Sequence, residues 1–343
     1  MASSPLNTLV QSGKRIRTYF QRLGQVSPRV NSIEKMLLEM RIELEAQRRE
    51  LRVMYNSIGL PEKDVWLNQP PMLSGQPGQG IFAACSPCRQ SSFEQPYFSY
   101  WTSQLREALR YHRKLWEFVF ICQALHERGL LSAGKKGLGF GVGSEPLSAY
   151  FAAKGCQITA TDIDLDYAIQ MGWTETNQHA VGKAALRNPL LCPDEVFDAN
   201  VVFETCDMNK VPTHLSGFDF CWSACALEHL GSIESGLAFI ERSIDTLKPG
   251  GWAIHTTEFN TSSNDDTVDN MGTVLFRRSD FAELAHRLAQ KGHSLAPLDF
   301  NLGQDPVDRY IDMPPYREQP HLQMALDGYS TTSYGLIVRR GPT

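Results

Sequence analysis

The sequence predicts an α/β fold: an open, mostly parallel sheet with helices on both faces, preceded by a helix of heptad pattern. Three observations point there. Gly139, Gly141 and Gly143 recur at alternate positions directly after a strand-like stretch. From residue 136 to 260, apolar strand-like runs alternate with helix-periodic stretches, the order that builds parallel sheets. Before them, Ile33, Leu37, Met40, Leu44, Gln47, Leu51, Met54 and Ile58 alternate four-three spacing.

Composition narrows the function. With 343 residues, 42% hydrophobic and 21% charged, the chain can bury a full core and still carry an appendage. A net charge of −5 argues against a general nucleic-acid binder, which needs a basic surface. No apolar run approaches the length of a membrane span. The eight cysteines are too sparse for a disulfide scaffold, and Cys206, Cys221 and Cys225 sit in apolar strand-like runs. That is the usage of a reduced, cytoplasmic protein.

Residues 1–29 hold Lys14, Arg15, Arg17, Arg22 and Arg29 and no acid. Ile16, Phe20 and Leu23 fall on one helical face, so the segment reads as a basic flexible N-terminus able to make weak contact with a membrane surface. Its Ser/Arg content is also that of a transit peptide. Residues 30–58 read as the heptad helix, with charges filling the positions outside the seam and Gly59 and Pro61 ending it. It forms a homo-oligomeric coiled coil or folds back on its own domain. Residues 59–92, rich in Pro, Gly, Gln and Ser, read as linker. Their lone Cys85-Ser-Pro-Cys88 lacks the second pair that zinc requires. Residues 93–130 read as one or two helices dense in aromatics, with Arg106, Arg110, Arg113 and Lys114 interleaved.

The stretch Lys136–Asp164 reads strand, glycine turn, helix, strand, acid, which is a nucleotide-binding βαβ unit. Glycines let the backbone approach a ligand that a Cβ would block. Asp162, ending the second strand, can accept both hydroxyls of a ribose. The spacing G-x-G-x-G differs from the G-x-G-x-x-G of dinucleotide binders, and Glu145 at the helix mouth would repel a pyrophosphate but suit a cation. A nicotinamide dehydrogenase is disfavoured on both counts. The stretch resembles motif I of the class I S-adenosylmethionine-dependent methyltransferases. One departure matters: that family usually has an acid two residues before the first of these glycines, and this chain has Gly137. The resemblance leaves that acid missing or supplied by Glu145.

Later segments extend the resemblance, in its type 11-like form. Val201–Thr205 reads as the third strand and ends at Cys206-Asp207-Met208. Phe218–Ser223 runs into Ala226-Leu227-Glu228-His229-Leu230, similar to the family's "leHl" segment. A helix over Ser235–Leu247 is closed by Lys248-Pro249-Gly250-Gly251 before a strand at Trp252–Thr256. Asp280–Gln290 is helix-periodic, and Leu295–Phe300 and Tyr334–Val338 are strand-like. The resemblance implies a Rossmann-like seven-stranded sheet over residues 93–341, with N-terminal cap helices and a final antiparallel strand. It implies S-adenosylmethionine as cofactor, held by Gly139, Gly141, Gly143, Glu145, Asp162, Ile163, Asp207, Met208 and Ser223. It implies that the cap helices shape the acceptor pocket, with Tyr97, Trp101 and Arg113 lining it. Two polar inserts, Asn260–Thr273 and Gly303–His321, follow the fifth and sixth strands, where acceptor loops belong.

Methyl transfer to oxygen needs a base within hydrogen-bond reach. His229, His255 and Glu258 are the candidates. Asp265, Asp266 and Asp269 would suit magnesium, although Asp-rich loops are more often only solvated, and no metal is expected. The expected activity is methyl transfer to a small molecule or saccharide, at oxygen. The alternative is a catalytically inactive scaffold of this fold, working through its coiled coil.

Overall fold

The computed structural model describes residues 32–33, 35–51, 53–54, 69–164 and 182–342. The basic segment 1–29, most of the linker before residue 69, and the Trp173 and His179 loop lie outside them.

Two helices, α1 (Pro96–Leu105) and α2 (Arg113–Glu127), precede β1 (Lys136–Phe140). Then follow α3 (Leu147–Ala153), β2 (Gln157–Asp162), α4 (Asp194–Asn200), β3 (Val201–Thr205) and β4 (Phe218–Ala224). The chain continues through α5 (Ile233–Asp245), β5 (Leu247–Asn260), α6 (Arg278–Gln290), β6 (Ile311–Asp312), β7 (Gln323–Leu326) and β8 (Tyr329–Arg339). The strands lie in the order β3-β2-β1-β4-β5-β8-β7-β6. β1 pairs in parallel with both β2 and β4, and β8 runs antiparallel to β5. The order reverses at β1, so the crevice for a ligand opens beyond the carboxyl ends of β1 and β4.

Among the described residues the sheet has ten strands rather than seven. β8 is 11 residues long. Its first half pairs with β7, and its second half with the two-residue strand Ser294–Leu295. The strand expected at Leu295–Phe300 is thus confined to its first residues. The stretch expected as linker also joins the sheet, since Ser86–Pro87 pairs with β8 at Gly335 and Tyr334.

Successive side chains of β4 point to opposite faces. Phe220 and Trp222 meet Phe151 of α3, with centroids 5.8 and 5.1 Å away. Cys221 faces Ser243 of α5. Ser232 caps α5 by accepting the Ser235 N–H, and Leu237, Ile240 and Ile244 bury its apolar face, as the periodicity predicts.

Residues 35–51 are helical. This helix is exposed along almost its whole length, its apolar positions included, with Leu37 59% and Leu44 65% exposed. Its end meets β6 and the β7–β8 hairpin: Val53 packs with Ile311 and Ala325, and the Arg49 guanidinium lies 5.6 Å from the Tyr329 ring centroid.

Candidate functional site

The glycine loop forms the first half of the site. Gly141 and Gly143 have φ of 55° and 51°, the left-handed region that glycine enters without a Cβ penalty. A Cβ on Gly141 would come within 2.8 Å of Ala226 and 3.4 Å of the Met208 sulfur. The loop is pinned to β2. The Val142 N–H donates to the Thr161 carbonyl at 3.1 Å, and the Thr161 hydroxyl donates to the Gly139 carbonyl at 2.8 Å. Asp162 is buried and accepts the Gly143 N–H at 3.0 Å and the Ile163 N–H at 2.8 Å. One carboxylate thus ties the loop to the strand end, beside the expected ribose position. Asp207 caps the turn Met208–Lys210 by accepting the Asn209 N–H, which holds Met208 under the loop.

Gly137 has a packing reason. A Cβ there would lie 2.4 Å from the Phe220 ring, so no acid fits. The nearest carboxyl on the loop is Glu145. It is buried, and its Oε1 accepts the Trp222 indole N–H at 2.5 Å. Burial pushes its carboxyl up to about 8; the Trp222 hydrogen bond and Lys114 oppose that rise, while Glu117 and Asp162 add to it. The loop therefore offers a cradle that side chains would fill and a buried acid suited to a cation. Both features fit S-adenosylmethionine, the cofactor the resemblance implies, and Gly139, Gly141, Gly143, Glu145, Asp162, Ile163, Asp207 and Met208 all lie in the glycine unit or the turn beside it.

Ser223 does not join them. Its hydroxyl bonds the His255 Nδ1 at 2.8 Å on the α5 face. His255 is also placed away from the crevice. Its Nε2 bonds the Ser243 hydroxyl at 3.0 Å, it packs on Phe239, and burial pulls its pKa down to about 3. With both ring nitrogens engaged and no exposure, His255 is a structural residue rather than a base.

Glu258, three residues on, faces the opposite way. It forms an ion pair with Arg113 at the start of α2 and accepts the Thr331 hydroxyl at 2.8 Å. One turn along α2, Glu117 accepts from Lys114 Nζ at 3.0 Å and from the Ser333 hydroxyl at 2.6 Å. Burial works to raise Glu117, but Lys114 and Arg113 win and hold it below the usual carboxylate range. Lys114 Nζ also donates to the Ala224 carbonyl at 2.9 Å, at the very end of β4. Next to it, Cys225 takes the left-handed region, φ 51°, a strained conformation for a residue with a side chain.

Glu228 completes this cluster. It is 1% exposed, and its Oε2 accepts the Thr257 hydroxyl at 3.1 Å. Burial raises its pKa, opposed by His229 and reinforced by Glu258 and Glu117. Ligand atoms of Cys225, Glu228 and Glu258 lie within 4.8 Å of one another. They do not make a site for a hard divalent cation. Arg113 already neutralises Glu258, and burial keeps the Cys225 thiol protonated. Nor do the loop aspartates converge: Asp265 and Asp266 are exposed, and Asp269 accepts the Ile233 N–H at the start of α5.

Both polar inserts reach this edge. The His229 Nδ1 donates to the Gly272 carbonyl at 2.8 Å, which closes the first insert over the crevice. In the second, the Asp312 carboxylate accepts from His321 Nδ1 at 2.7 Å, and the His321 ring lies 4.9 Å from that of His112. Tyr97 and Trp101 do not line the crevice. Trp101 donates to Gln123 at 2.6 Å inside the helical layer, and Tyr97 packs between Phe82 and Phe98. Their size is spent on joining α1 to α2. Of the expected acceptor residues, only Arg113 reaches the site. Glu117 and Glu228 were not singled out, and His321 and Asp312 only as parts of the second insert. Glu117 could have been found at i+4 from Arg113 on the same helix, and Glu228 within the segment that carries His229.

Residues 138–255 match the family described as a methyltransferase domain. Over those residues the chain carries a methyltransferase domain. Among solved structures it is similar to an S-adenosylmethionine-dependent methyltransferase from Methanosarcina mazei, at 15% identity over 63% of this chain and 97% of that one, TM-score 0.39. It is also similar to a methyltransferase from Pyrococcus furiosus, at 16% identity over 65% of this chain and 83% of that one, TM-score 0.33. No curated protein matches it. Among the described residues, no helix is long and apolar enough to cross a membrane.

His255 yields a prediction. Its folded pKa lies below its ordinary 6.5, so the unfolded chain binds the proton more readily. The stability this represents is present above pH 6.5 and is lost as pH falls toward 3. In His255→Asn, the urea midpoint should fall less steeply over that window than in the parent chain, while affinity for S-adenosylmethionine stays unchanged. An Asn variant that loses cofactor binding but keeps its fold would return His255 to the site.

Proposed function

We propose that the enzyme methylates a small hydroxyl-bearing molecule, saccharides included, at oxygen, with Glu228 taking the acceptor's proton. The observation that carries this reading is the pairing within the buried cluster. Arg113 is committed to Glu258 and Lys114 to Glu117, whereas the hydrogen-bond donor to the Glu228 carboxylate is the Thr257 hydroxyl. A carboxyl whose basicity is raised by burial is a stronger proton acceptor than an exposed one, which suits it to serve as a general base. Glu228 follows β4 by a few residues and sits beside the crevice mouth. The polar edge formed by Arg113, His321 and Tyr316 suits an acceptor rich in hydroxyls, although the cap-helix aromatics no longer support stacking on a sugar.

S-adenosylmethionine supplies an activated methyl group when bound, so the chain's own work is alignment, exclusion of water and proton removal. Gly141 and Gly143 admit the cofactor and Asp162 anchors it. Arg113 and Glu258 hold each other's charge, and their fixed pair can orient an acceptor hydroxyl toward Glu228. His229 remains the second candidate for proton removal. Its Nδ1 is occupied by Gly272, which makes it chiefly the clasp of the first insert.

Two experiments test the reading. Asp162→Ala should weaken S-adenosylmethionine binding about 10- to 100-fold, the range for losing hydrogen bonds to a charged group, as read by calorimetric titration. Normal affinity would remove Asp162 from the ribose site. Glu228→Gln should bind the cofactor as the parent does yet release S-adenosylhomocysteine roughly 10²- to 10⁴-fold more slowly with saccharide or phenol acceptors. A loss of only a few fold would exclude Glu228 as the base.

The exposed stripe on residues 35–51 supports a further part of the proposal, a homo-oligomer built by that helix. Burying such a stripe against a second copy would remove several large apolar side chains from water. Leu37→Glu combined with Leu44→Glu should lower the mass seen by light scattering to that of one chain. A parent protein already monomeric at micromolar concentration would end this part of the proposal.

A further inference from the structure

We propose that Glu145 gives up its carboxyl proton to solvent as the cationic end of S-adenosylmethionine is seated, so that cofactor loading is coupled to pH. The inference rests on the cofactor assignment and goes beyond it, because nothing above requires any proton to move on binding.

The geometry around Glu145 carries it. The carboxyl lies on the glycine loop, one residue before the Pro146 that caps α3. It is 9% exposed. It accepts a hydrogen bond from the Trp222 indole, a neutral donor. The charged and titratable groups facing it can be taken element by element. From α2 come Lys114, Glu117 and the buried thiol of Cys122. From β2 comes Asp162. Lys114 is the cation among them, and its Nζ is already held by Glu117 at 3.0 Å and by the Ala224 carbonyl at 2.9 Å. Glu145 therefore sits in the ligand-free protein as a buried acid with a neutral donor on one side, and with two carboxylates against the one committed cation. A buried carboxyl in that position retains its proton.

Gly137 explains why the acid is here. The Phe220 ring fills the space where an acid on β1 would stand. A cofactor bearing an ammonium and a sulfonium still needs a compensating anion within the protein. Glu145 can supply it only by ionising. The balance is simple: the carboxyl O–H breaks, the proton passes to buffer, and the carboxylate stays behind opposite the incoming positive charge. No bond in the cofactor changes. The linkage has a definite sign. Because the folded protein holds this proton up to about pH 8, against an ordinary value of 4.5, the ligand-free chain loses stability as pH rises through that window. Cofactor affinity gains over the same window.

The test is calorimetric titration of the full chain with S-adenosylmethionine at pH 7, in two buffers of different ionisation enthalpy. The difference in heat counts protons. The expected result is release of about one proton per site, the amount that one group titrating above the working pH can give. Affinity should rise from pH 5 to pH 8. Glu145→Gln keeps an acceptor for the Trp222 N–H and so keeps the fold. It should release no proton, bind about tenfold more weakly at pH 8, and show no pH dependence of affinity from this source. The urea midpoint of the ligand-free Gln variant should fall less between pH 5 and pH 8 than that of the parent. S-adenosylhomocysteine, which keeps the ammonium and lacks the sulfonium, assigns the charge. Equal proton release with both ligands places the ammonium at Glu145, and release with S-adenosylmethionine alone places the sulfonium there. Saturable binding with identical heats in the two buffers overturns the inference and leaves the cofactor assignment standing. Absence of any saturable binding overturns both.

Discussion

Phe220 and Trp222 lie side by side on β4, with ring centroids 5.9 Å apart, and β1 must pass beside them. That close approach sets much of the site. A Cβ on Gly137 would stand 2.4 Å from Phe220, and one on Gly139 would stand 2.5 Å from Trp222. The small residues of β1 are therefore as much a groove for two aromatic rings as a turn for a ligand. The rings weld β4 to α3 through Phe151. They also leave no room on β1 for a carboxylate. The acid that a cationic cofactor requires moves eight residues along the chain in this reading, from the position of Gly137 to Glu145, where the indole of Trp222, the neighbour of the Phe220 ring that excludes it from the strand, becomes its hydrogen-bond donor.

The second half of the site follows from the cost of burying charge. Taking a carboxylate out of water costs several kcal/mol unless a partner compensates. Glu117 and Glu258 have such partners in Lys114 and Arg113, each supplemented by a hydroxyl, from Ser333 and Thr331. The two cations come from the first turn of α2, and the two hydroxyls come from β8. Helix and antiparallel strand are thus clamped across the carboxyl end of β5 by neutralised pairs. Glu228 has the weakest compensation of the three. Its raised pKa is the expression of that deficit, and a group shifted by its surroundings is the one chemistry can use.

How much of this was legible in the sequence depends on which physical signal encodes it. The βαβ unit, the parallel order and the antiparallel final strand follow from residues whose spacing reports backbone geometry: Gly139, Gly141, Asp162, and the Lys248–Gly251 turn. Asp162 lies at the strand end where the glycine unit puts it. The direction in which each β5 side chain points was not legible. A strand buried on both faces shows no polar alternation, so His255 and Glu258 looked equally able to reach the crevice. Only the pairing of Ser223 with His255 and of Ser333 with Glu258, seen together with Ser243 of α5 and Arg113 of α2, separates them. Ser223 was misplaced for the same reason. Tyr97 and Trp101 failed differently: an aromatic on a cap helix fills a core or a pocket with the same chemistry. The heptad stripe was legible as a pattern, but a pattern does not name what covers it.

Glu228 and His321 mark a deeper limit. Each owes its environment to residues far along the chain: Thr257 and Glu258 for the first, His112 and Asp312 for the second. No local window holds that information. What local reading does give is the constraint on where such residues can act. An open sheet of this order gathers its loops at one edge, so a titratable residue within a few positions of the end of β4 or β5 is brought toward the crevice unless its strand phase turns it away. His255 stops short of that edge and points into α5. Glu258 is one of the last residues of the same strand and points into α2. Glu228 lies beyond β4 altogether, in a turn whose backbone is fixed by the Val274 N–H donating to its carbonyl. The difference between a structural histidine and a candidate base is thus decided by one step of the pleat and by distance from the strand end.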